Sequence, residues 1–187
     1  MPNFDKKTEE ILIALEKTQE EFWNVDRATA NYLNLMVKAL NVQNALEIGT
    51  SNGYSAIWIA KGLKETNGKL TTIEFWDKRL DLAKENFKEC GVDDIITTKL
   101  GSASDVLLDL QNEIYDFVFI DANKLEYLNY FKRIDPILKK GGVILSDNII
   151  SHAKKVQPFL DEILSRKDYQ SELLNFQDGL LISRKNL

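Results

Sequence analysis

The chain has 187 residues, of which 44% are hydrophobic and 28% charged, a composition typical of one globular domain with its own core. It carries 24 Lys and Arg against 29 Asp and Glu, and the resulting formal charge of −5 argues against a nucleic-acid or anionic-membrane partner. A single cysteine, Cys90, and a single histidine, His152, exclude an internal disulfide and any zinc site built from several thiols or imidazoles.

The beginning of the chain, residues 1–7, has no apolar stretch of the kind found in signal peptides. No window approaches the ~20 apolar residues of a membrane-spanning helix, so we expect a cytoplasmic protein with no membrane partner. Repeats, low-complexity tracts and Pro/Gly-rich linkers are missing from the sequence. We therefore predict a single domain over residues 1–187, with N-terminal helices over 1–41 and an α/β core over 42–187.

Apolar residues at spacings of three and four predict two amphipathic helices near the start, over residues 5–22 and 26–40. Five short apolar runs follow at intervals of roughly 25 residues, separated by segments of helical period. They are residues 45–48, 70–73, 95–98, 117–120 and 143–145. Apolar strands that alternate with helices are typical of a parallel sheet covered on both faces. Asp77 is predicted to cap a helix start, Gly91 to follow a helix end, and Gly141-Gly142 to end the fifth helix.

The last third of the core has a different pattern. Residues 156–164 have helical period, and two strands over 169–174 and 180–183 are linked by a turn that ends in Asp178-Gly179. Strands joined by such a turn pair antiparallel. The predicted fold is a doubly wound, mostly parallel seven-stranded sheet of the Rossmann-like type with an antiparallel C-terminal hairpin.

In sheets of this kind the ligand lies beyond the carboxyl ends of the strands, which makes the residue after each strand informative. The first strand leads into a loop with glycines at Gly49 and Gly53, and a helix follows whose first amides are free to bind an anion. The glycine spacing is neither that of a dinucleotide fingerprint nor that of a phosphate loop. A tight strand-to-helix turn needs glycine in any case, so the loop alone does not prove a ligand.

Glu74 ends the second strand, where an acid in this architecture accepts hydrogen bonds from ribose hydroxyls. A glycine loop and a ribose acid without a phosphate grip indicate a nucleoside ligand that carries no phosphate. S-adenosylmethionine is the common ligand of that description, and we predict it as the cofactor.

Polar residues also follow the fourth and fifth strands, as Asp121 and as Asp147-Asn148. Two carboxylates and an amide suit a hard octahedral cation, so we predict Mg²⁺ there. Such an ion lowers the pKa of a bound hydroxyl. Lys124, three residues after Asp121, is placed to act as the general base on that hydroxyl.

The segments 45–56, 121–124, 141–148 and 178–180 together resemble the cation-dependent, S-adenosylmethionine-dependent O-methyltransferases, the family of catechol and caffeoyl-CoA O-methyltransferases. The resemblance extends from about Asn24 to Arg184. It implies that the residues at the methionine end of the cofactor are Asn24, Val25, Glu47, Gly49, Ser51, Tyr54 and Ser55. It further implies Glu74 as the ribose acid, Ala103 and Ser104 as adenine contacts, and Asp121 as a residue shared by the cofactor and the metal. Asp121, Asp147 and Asn148 match the family's metal ligands, and Lys124 matches its catalytic lysine, with Asp121 counted beside it as catalytic.

Three departures from the family pattern bear on the acceptor. Asn123 stands where many relatives carry a second acid, and Ser104 stands where catechol-type enzymes carry a larger amide. After Asn148 the family's long acceptor-covering insertion is replaced by a few residues. The acceptor is therefore predicted only as a small phenolic or catechol-like molecule.

Several alternatives are left open by the sequence. They are a metal-independent or non-O-directed methyltransferase, a non-catalytic protein that binds S-adenosylmethionine, and a homodimer of any of these. An NAD-dependent oxidoreductase is opposed by the glycine spacing. Among the other notable side chains, Trp58 is expected in the core, Trp23 between helices, Trp76 as a capping aromatic at the strand end, Cys90 as an inert thiol, and His152 on the surface.

Overall fold

The structure, a computed structural model, describes residue 2 and residues 4–187. Its helices are α1 (Lys6–Glu16), α2 (Gln19–Phe22), α3 (Arg27–Ala39), α4 (Tyr54–Thr66), α5 (Asp77–Glu89), α6 (Ala103–Asp109), α7 (Tyr127–Ile134) and α8 (Ala153–Ser165). Its strands are β1 (Asn44–Ile48), β2 (Lys69–Glu74), β3 (Ile96–Leu100), β4 (Tyr115–Ile120), β5 (Leu138–Ser146), β6 (Tyr169–Leu174) and β7 (Leu180–Lys185). Short 3₁₀ turns cover Asp93–Ile95, Lys124–Glu126 and Asp135–Ile137.

The strands of the described residues form one sheet in the order β3-β2-β1-β4-β5-β7-β6. The first five strands pair in parallel, and β7 pairs antiparallel with both β5 and β6. This confirms the predicted mostly parallel seven-stranded sheet with a terminal hairpin. Strand order reverses between β1 and β4, so the crevice for a ligand lies above the carboxyl ends of those two strands.

Apolar side chains fill both faces of the sheet. On one face α1, α3, α4 and α5 pack through residues such as Leu12, Leu33, Trp58 and Phe87. On the other face α6, α7 and α8 contribute Leu107, Phe131 and Phe159 to a second cluster. Trp58 is buried, which confirms its predicted place in the core. Because helices cover both faces, the edge formed by the carboxyl ends of the strands is the side of the sheet open to a ligand.

The predicted helix over residues 5–22 is wrong in one respect, because it is interrupted after Glu16. The Leu15 carbonyl at this break accepts a hydrogen bond from the Thr18 hydroxyl at 2.9 Å and another from Asn24 Nδ2 at 3.0 Å. The Thr18 amide also donates to this carbonyl at 3.1 Å, so the bonds of a tight turn close α1, and the chain turns again at Trp23, which has a φ of 57°.

Two of the predicted helix boundaries are also wrong. Trp76, rather than Asp77, occupies the capping position of α5, and Asp77 is the first helical residue. Gly141 and Gly142 lie inside β5, since the preceding helix and 3₁₀ turn already end by Ile137. The register between β4 and β5 shifts near these glycines, and Gly141 has a φ of 81°. The two glycines therefore belong to an irregular part of the strand.

In the part of the chain that the structure describes, every helix falls short of the length and apolarity that crossing a membrane requires.

Candidate active site

The loop between β1 and α4 packs directly against the end of β4. Gly49 has a φ of 103°, and a Cβ built on it would lie 2.1 Å from the backbone oxygen of Asp121. Gly53 has a φ of 88°, and a Cβ there would lie 2.6 Å from the ring of Phe87. Both positions therefore require glycine for conformation and for space. The glycine loop and the backbone of Asp121 therefore lie against each other in one crevice.

A buried chain of hydrogen bonds lies beneath this loop. Glu47, at the end of β1, accepts a hydrogen bond from the Ser55 hydroxyl at 2.6 Å and another from the Thr72 hydroxyl at 2.6 Å. Thr72 is in turn 2.6 Å from the hydroxyl of Thr50. The chain joins β1, β2, the glycine loop and the start of α4, so it fixes the loop's shape.

Glu47 is fully buried, and burial is the main reason why its pKa is raised to about 8. The hydrogen bonds from Ser55 and Thr72 act in the opposite direction, and the negative charges of Asp121 and Glu74 add to the rise. The protonated form of this carboxyl therefore predominates at neutral pH, and both of its oxygens accept from hydroxyls. The predicted cofactor residue Glu47 supports the loop from below.

The segment 19–25, called the strap below, runs over the same loop. The Ser51 hydroxyl donates to the Phe22 carbonyl at 2.8 Å, and the Asn24 side chain donates to Leu15 as described above. Val25 is buried. Since the Asn24 amide is occupied in holding the strap, the backbone of residues 24 and 25 is what remains to face a ligand, as the resemblance implies.

Tyr54, the first residue of α4, is held from outside the loop. Its hydroxyl donates to Glu16 Oε1 at 2.7 Å, and the same oxygen accepts from Arg27 Nε at 2.7 Å. Burial and this negatively charged partner raise the pKa of Tyr54. The capping residue of α4, Gly53, has no side chain to offer, and Tyr54 N donates to Asn52 Oδ1 at 3.3 Å. The amides after Tyr54 are the ones that a helix start leaves for an anionic group such as a carboxylate.

Glu74, the predicted ribose acid, is buried at the end of β2 and accepts three backbone hydrogen bonds. Phe75 N and Trp76 N donate to its Oε1, both at 2.9 Å, and Ser51 N donates to its Oε2 at 2.8 Å. These amides hold the carboxylate in one orientation. Phe75 N and Trp76 N occupy both lone pairs of Oε1, so the lone pair that is left for a ligand hydroxyl is on Oε2.

Ala103 and Ser104, the predicted adenine contacts, form the first turn of α6. The Ser104 hydroxyl donates to Glu126 Oε2 at 2.5 Å and accepts from Asn129 Nδ2 at 2.7 Å. Its side chain is thus committed to residues that follow β4, and sequence reasoning identified neither of them. Nothing in the sequence distinguishes Glu126 and Asn129 from ordinary polar residues on the surface of a helix.

The carboxyl ends of β4 and β5 bring the predicted metal ligands together. Lys124 Nζ lies 2.8 Å from Asp121 Oδ1, and the two side chains are only 19% and 14% exposed. Asp147 is buried beside them, and both this burial and the charge of Asp121 raise its pKa. Asn148, with a φ of 62°, directs its amide to the Ser151 hydroxyl at 3.4 Å.

Two residues that the sequence did not single out support this edge. The Tyr127 hydroxyl contacts the Ile120 carbonyl at 3.3 Å and the Asp147 carbonyl at 3.2 Å, so it ties the ends of β4 and β5 together. Asp178 adds a negative charge that also raises the pKa of Asp147. A tyrosine inside a helix and an aspartate in a hairpin turn carry no sequence signal that would distinguish these roles.

The chemistry of this edge fits a divalent cation. Within residues 2 and 4–187, no three side chains of the His, Cys, Asp and Glu types are grouped so that they could hold a metal ion. A cation here would therefore rely on the two carboxylates and the Asn148 amide, with other oxygens completing its shell. The grouping of carboxylates is what favours a cation: burial and the charge of Asp121 raise the pKa of Asp147, and Lys124 Nζ, 2.8 Å from Asp121 Oδ1, is the cation beside this pair.

Aromatic residues flank the strap on its outer side. The guanidinium of Arg79, on α5, lies 4.8 Å from the ring centre of Trp23 and 4.7 Å from that of Trp76. Trp23 is 69% exposed, so its predicted packing between helices is wrong; Trp76 is 51% exposed.

Away from the crevice, burial raises the pKa of the Cys90 thiol to about 11, in accord with an inert role.

His152 follows the β5 loop at the start of α8, where its ring nitrogen Nδ1 lies 3.1 Å from the Ser151 hydroxyl. Partial burial and the positive charges of Lys124 and Lys155 lower its pKa. Sequence analysis placed this histidine on the surface, and the structure gives it a half-buried position close to the charged edge.

Comparison with known proteins finds similar sequences that all belong to one family. The family model described as O-methyltransferase matches residues 6–182. A caffeoyl-CoA O-methyltransferase of Medicago sativa is 32% identical over 163 residues, which are 83% of this chain and 66% of that protein. A catechol O-methyltransferase of Niastella koreensis is 35% identical over 126 residues, 66% of this chain and 57% of that protein. The matches thus span less than two thirds of these curated relatives.

Solved structures are similar over a larger share of their length. The O-methyltransferase of Bacillus cereus in complex with S-adenosylhomocysteine (SAH) superimposes with a TM-score of 0.89 at 27% identity, over 100% of this chain and 93% of that chain. An O-methyltransferase of Streptomyces achromogenes has a TM-score of 0.87 at 24% identity, over 99% of this chain and 92% of that chain, and shows the shared fold.

Proposed function

Because the chain belongs to the O-methyltransferase family, we propose that it transfers the methyl group of S-adenosylmethionine to a hydroxyl of a small phenolic or catechol-like acceptor, assisted by a divalent cation such as Mg²⁺. One observation carries the proposal: the glycine loop packs on the backbone of Asp121, so a cofactor-type loop adjoins a buried pair of carboxylates. The relatives' names supply the substrate class, since they include caffeoyl-CoA and catechol O-methyltransferases.

The residues that would hold the cofactor form a continuous surface along the loop. The first amides of α4 would bind its carboxylate, and Glu74 Oε2 would accept from a ribose hydroxyl. The backbone of residues 24 and 25 would cover the methionine end, and Ala103 and Ser104 would border the adenine. When bound, S-adenosylmethionine supplies a methyl group activated by the positive sulfonium.

The residues that would hold the cation are Asp121, Asp147 and Asn148. Their oxygens match the preference of Mg²⁺, and the crowded negative charge around Asp147 would be relieved by a positive ion. A cation at this place would supply Lewis acidity, which lowers the pKa of a hydroxyl on the acceptor.

Lys124 is the candidate general base. Its amine lies on the first turn after β4, is held by Asp121 at 2.8 Å and is 19% exposed, so a ligand in the crevice can reach it. Lys124 Nζ would take up the proton that the acceptor hydroxyl gives up when the methyl group is transferred. The chain's remaining contribution is to hold that oxygen in line with the methyl group at near-attack distance.

Few residues are available to cover the acceptor side of the crevice. Only residues 149–152 separate the Asp147-Asn148 pair from α8, and they are tied to the hairpin by hydrogen bonds from Ile149 N to the Gly179 carbonyl and from Ile150 N to the Asp178 carbonyl. An open crevice of this kind is compatible with small, flat acceptors.

The test has two stages. SAH should first raise the thermal midpoint of the protein, as expected for a ligand of the native state. A methyl-transfer screen over catechols, hydroxycinnamoyl thioesters and flavonoids should then give product with Mg²⁺ and little without it. If neither S-adenosylmethionine nor SAH stabilises the protein, the proposal fails as a whole. Full activity in excess chelator would instead remove only the cation from it.

A further inference from the structure

A small polar cluster joins the start of α6 to the turn after β4. Glu126 Oε2 accepts the hydroxyl proton of Ser104 at 2.5 Å, and Glu126 Oε1 accepts from Asn123 Nδ2 at 3.2 Å. Asn129 Nδ2 donates to the Ser104 oxygen at 2.7 Å. These elements follow different strands, β3 and β4, and meet above the carboxyl edge of the sheet.

The hydrogen-bond directions in this cluster are set by chemistry. A serine hydroxyl has one proton, and in Ser104 that proton points to Glu126 because Asn129 occupies the oxygen as a donor. The Ser104 side chain therefore has no proton left for a ligand. The side chain that is left to distinguish one ligand from another at this point of the crevice is the hydrogen-bond acceptor at the end of the cluster, the carboxylate of Glu126.

The Glu126 carboxylate also has unused capacity. It is half-buried, and within residues 2 and 4–187 it forms no ion pair with Lys or Arg. An ionised carboxylate offers about four lone-pair sites, of which Ser104 and Asn123 occupy two. A partly buried, unneutralised carboxylate of this kind is stabilised by a further N–H donor and repels a further acceptor.

We propose that Glu126 is a specificity-determining residue that recognises the 6-amino group of the cofactor's adenine. The inference rests on the proposed function, because it takes the adenine to lie against Ala103 and Ser104. A 6-amino purine presents N–H donors at this position, whereas a 6-oxo purine presents an acceptor. Glu126 accordingly favours adenine over hypoxanthine, and Ser104, Asn123 and Asn129 act as positioning residues that hold its carboxylate.

The experiment compares two ligands, SAH and its 6-oxo analogue S-inosylhomocysteine, by titration calorimetry on the full chain. The wild type should bind SAH at least about tenfold more tightly, the factor expected for one charge-assisted hydrogen bond lost. Glu126→Gln exchanges a pure acceptor for a group that can also donate. The preference for SAH over S-inosylhomocysteine should therefore fall to about threefold or less. Glu113→Gln, an exposed glutamate just before β4 at the opposite edge of the sheet, is the matched control and should keep the wild-type ratio.

A second variant separates recognition from folding. Ser104→Ala keeps the carboxylate and removes its anchor, so the ratio should lie between those of the wild type and Glu126→Gln. A ratio that stays within about twofold of wild type in both variants, while SAH still binds, would overturn the role of Glu126 and leave the proposed function intact. If SAH fails to bind even the wild type, the proposed function fails and this inference fails with it.

Discussion

The two walls of the crevice differ in how far the chain satisfies its own polar groups. On the β1–β2 side, Glu47 and Glu74 both have hydrogen-bond donors for each carboxylate oxygen. On the β4–β5 side, Asp121 and Asp147 face each other with Lys124 as the adjacent cation, and burial and mutual repulsion raise the pKa of Asp147. The first wall is complete in itself, whereas the second carries charge that a ligand must neutralise.

This difference assigns separate tasks to the two walls. A site whose hydrogen bonds are already made changes little on binding, and this preorganisation favours tight capture of one cofactor. A site with excess negative charge is poised for a cation and for a reaction that develops charge. We therefore expect changes on the β4–β5 side to affect turnover, and changes on the β1–β2 side to affect stability and cofactor binding.

The largest effect is expected at Asp121. Asp121→Asn keeps the shape of the side chain and removes the charge that holds Lys124 and would bind the cation. We expect kcat/KM to fall at least about a hundredfold while the dissociation constant of SAH changes less than about threefold. Asp109→Asn, an exposed site at the end of α6, is the control and should retain full activity. A parallel loss of SAH affinity would erase the distinction between the two walls.

The next effect concerns stability and tests the β1–β2 side through pH. The pKa of Glu47 is raised from 4.5 to about 8 on folding, so its contribution to stability is fully present below pH 4.5 and is lost as the pH rises toward 8. Glu47→Gln removes this titration. Relative to the variant, the wild type should lose up to about 1.4 kcal/mol of unfolding free energy per pH unit in that window, measured by urea denaturation.

The control for that measurement is Glu113→Gln, which should follow the wild-type pH curve because its side chain is exposed. Parallel curves for the wild type and Glu47→Gln between pH 5 and 8 would show that Glu47 is ionised when buried. The first wall would then also carry a buried negative charge, and the contrast in charge between the two walls would be incorrect.

A smaller effect is expected from the cation alone. At about ten times its dissociation constant, Mg²⁺ should raise the thermal midpoint of the wild type by about 3–6 °C, as a ligand of the native state does for a chain of this size. Asp147→Asn should lose this response, and Asp109→Asn should keep it. An equal shift in all three proteins would indicate general binding of salt and no site at the β4–β5 edge.

The sequence predicted the two walls to different extents. Strand order and the glycine loop follow from apolar runs and from residues such as Gly49, whose type is dictated locally by backbone conformation and space. The groups that hold the site, including Glu16, Glu126, Asn129 and Tyr127, were not predictable, because each acts through a partner distant in sequence. The interruption of the helix after Glu16 was not predicted for the same reason, since the Asn24 side chain donates to the Leu15 carbonyl nine residues earlier in the sequence.

Trp23 illustrates why exposure is harder to predict than burial. An indole beside a helix end is ordinarily packed away, yet here the turn at φ 57° directs it outward over the Arg79 guanidinium. Arg79 also lies 4.7 Å from the ring centre of Trp76, so one cation joins the strap to the start of α5. Nothing in the local sequence of either tryptophan specifies a partner on the other segment.

The smallest effect is expected from this contact. Arg79→Ala removes the cation–π contacts to Phe22, Trp23 and Trp76 and the hydrogen bond to the Glu21 carbonyl at 3.4 Å. The two cation–π contacts with the strap, to Phe22 and Trp23, are worth about 0.5–1 kcal/mol each at an exposed site, so the strap should open more readily. We expect SAH to dissociate up to about five- to thirtyfold faster, measured by stopped-flow tryptophan fluorescence. Lys78→Ala, the exposed neighbour on α5, should leave the rate unchanged. Because the strap lies on the β1–β2 side, turnover with saturating cofactor should stay near wild type, and a selective loss of turnover would mean that the strap serves the acceptor wall instead.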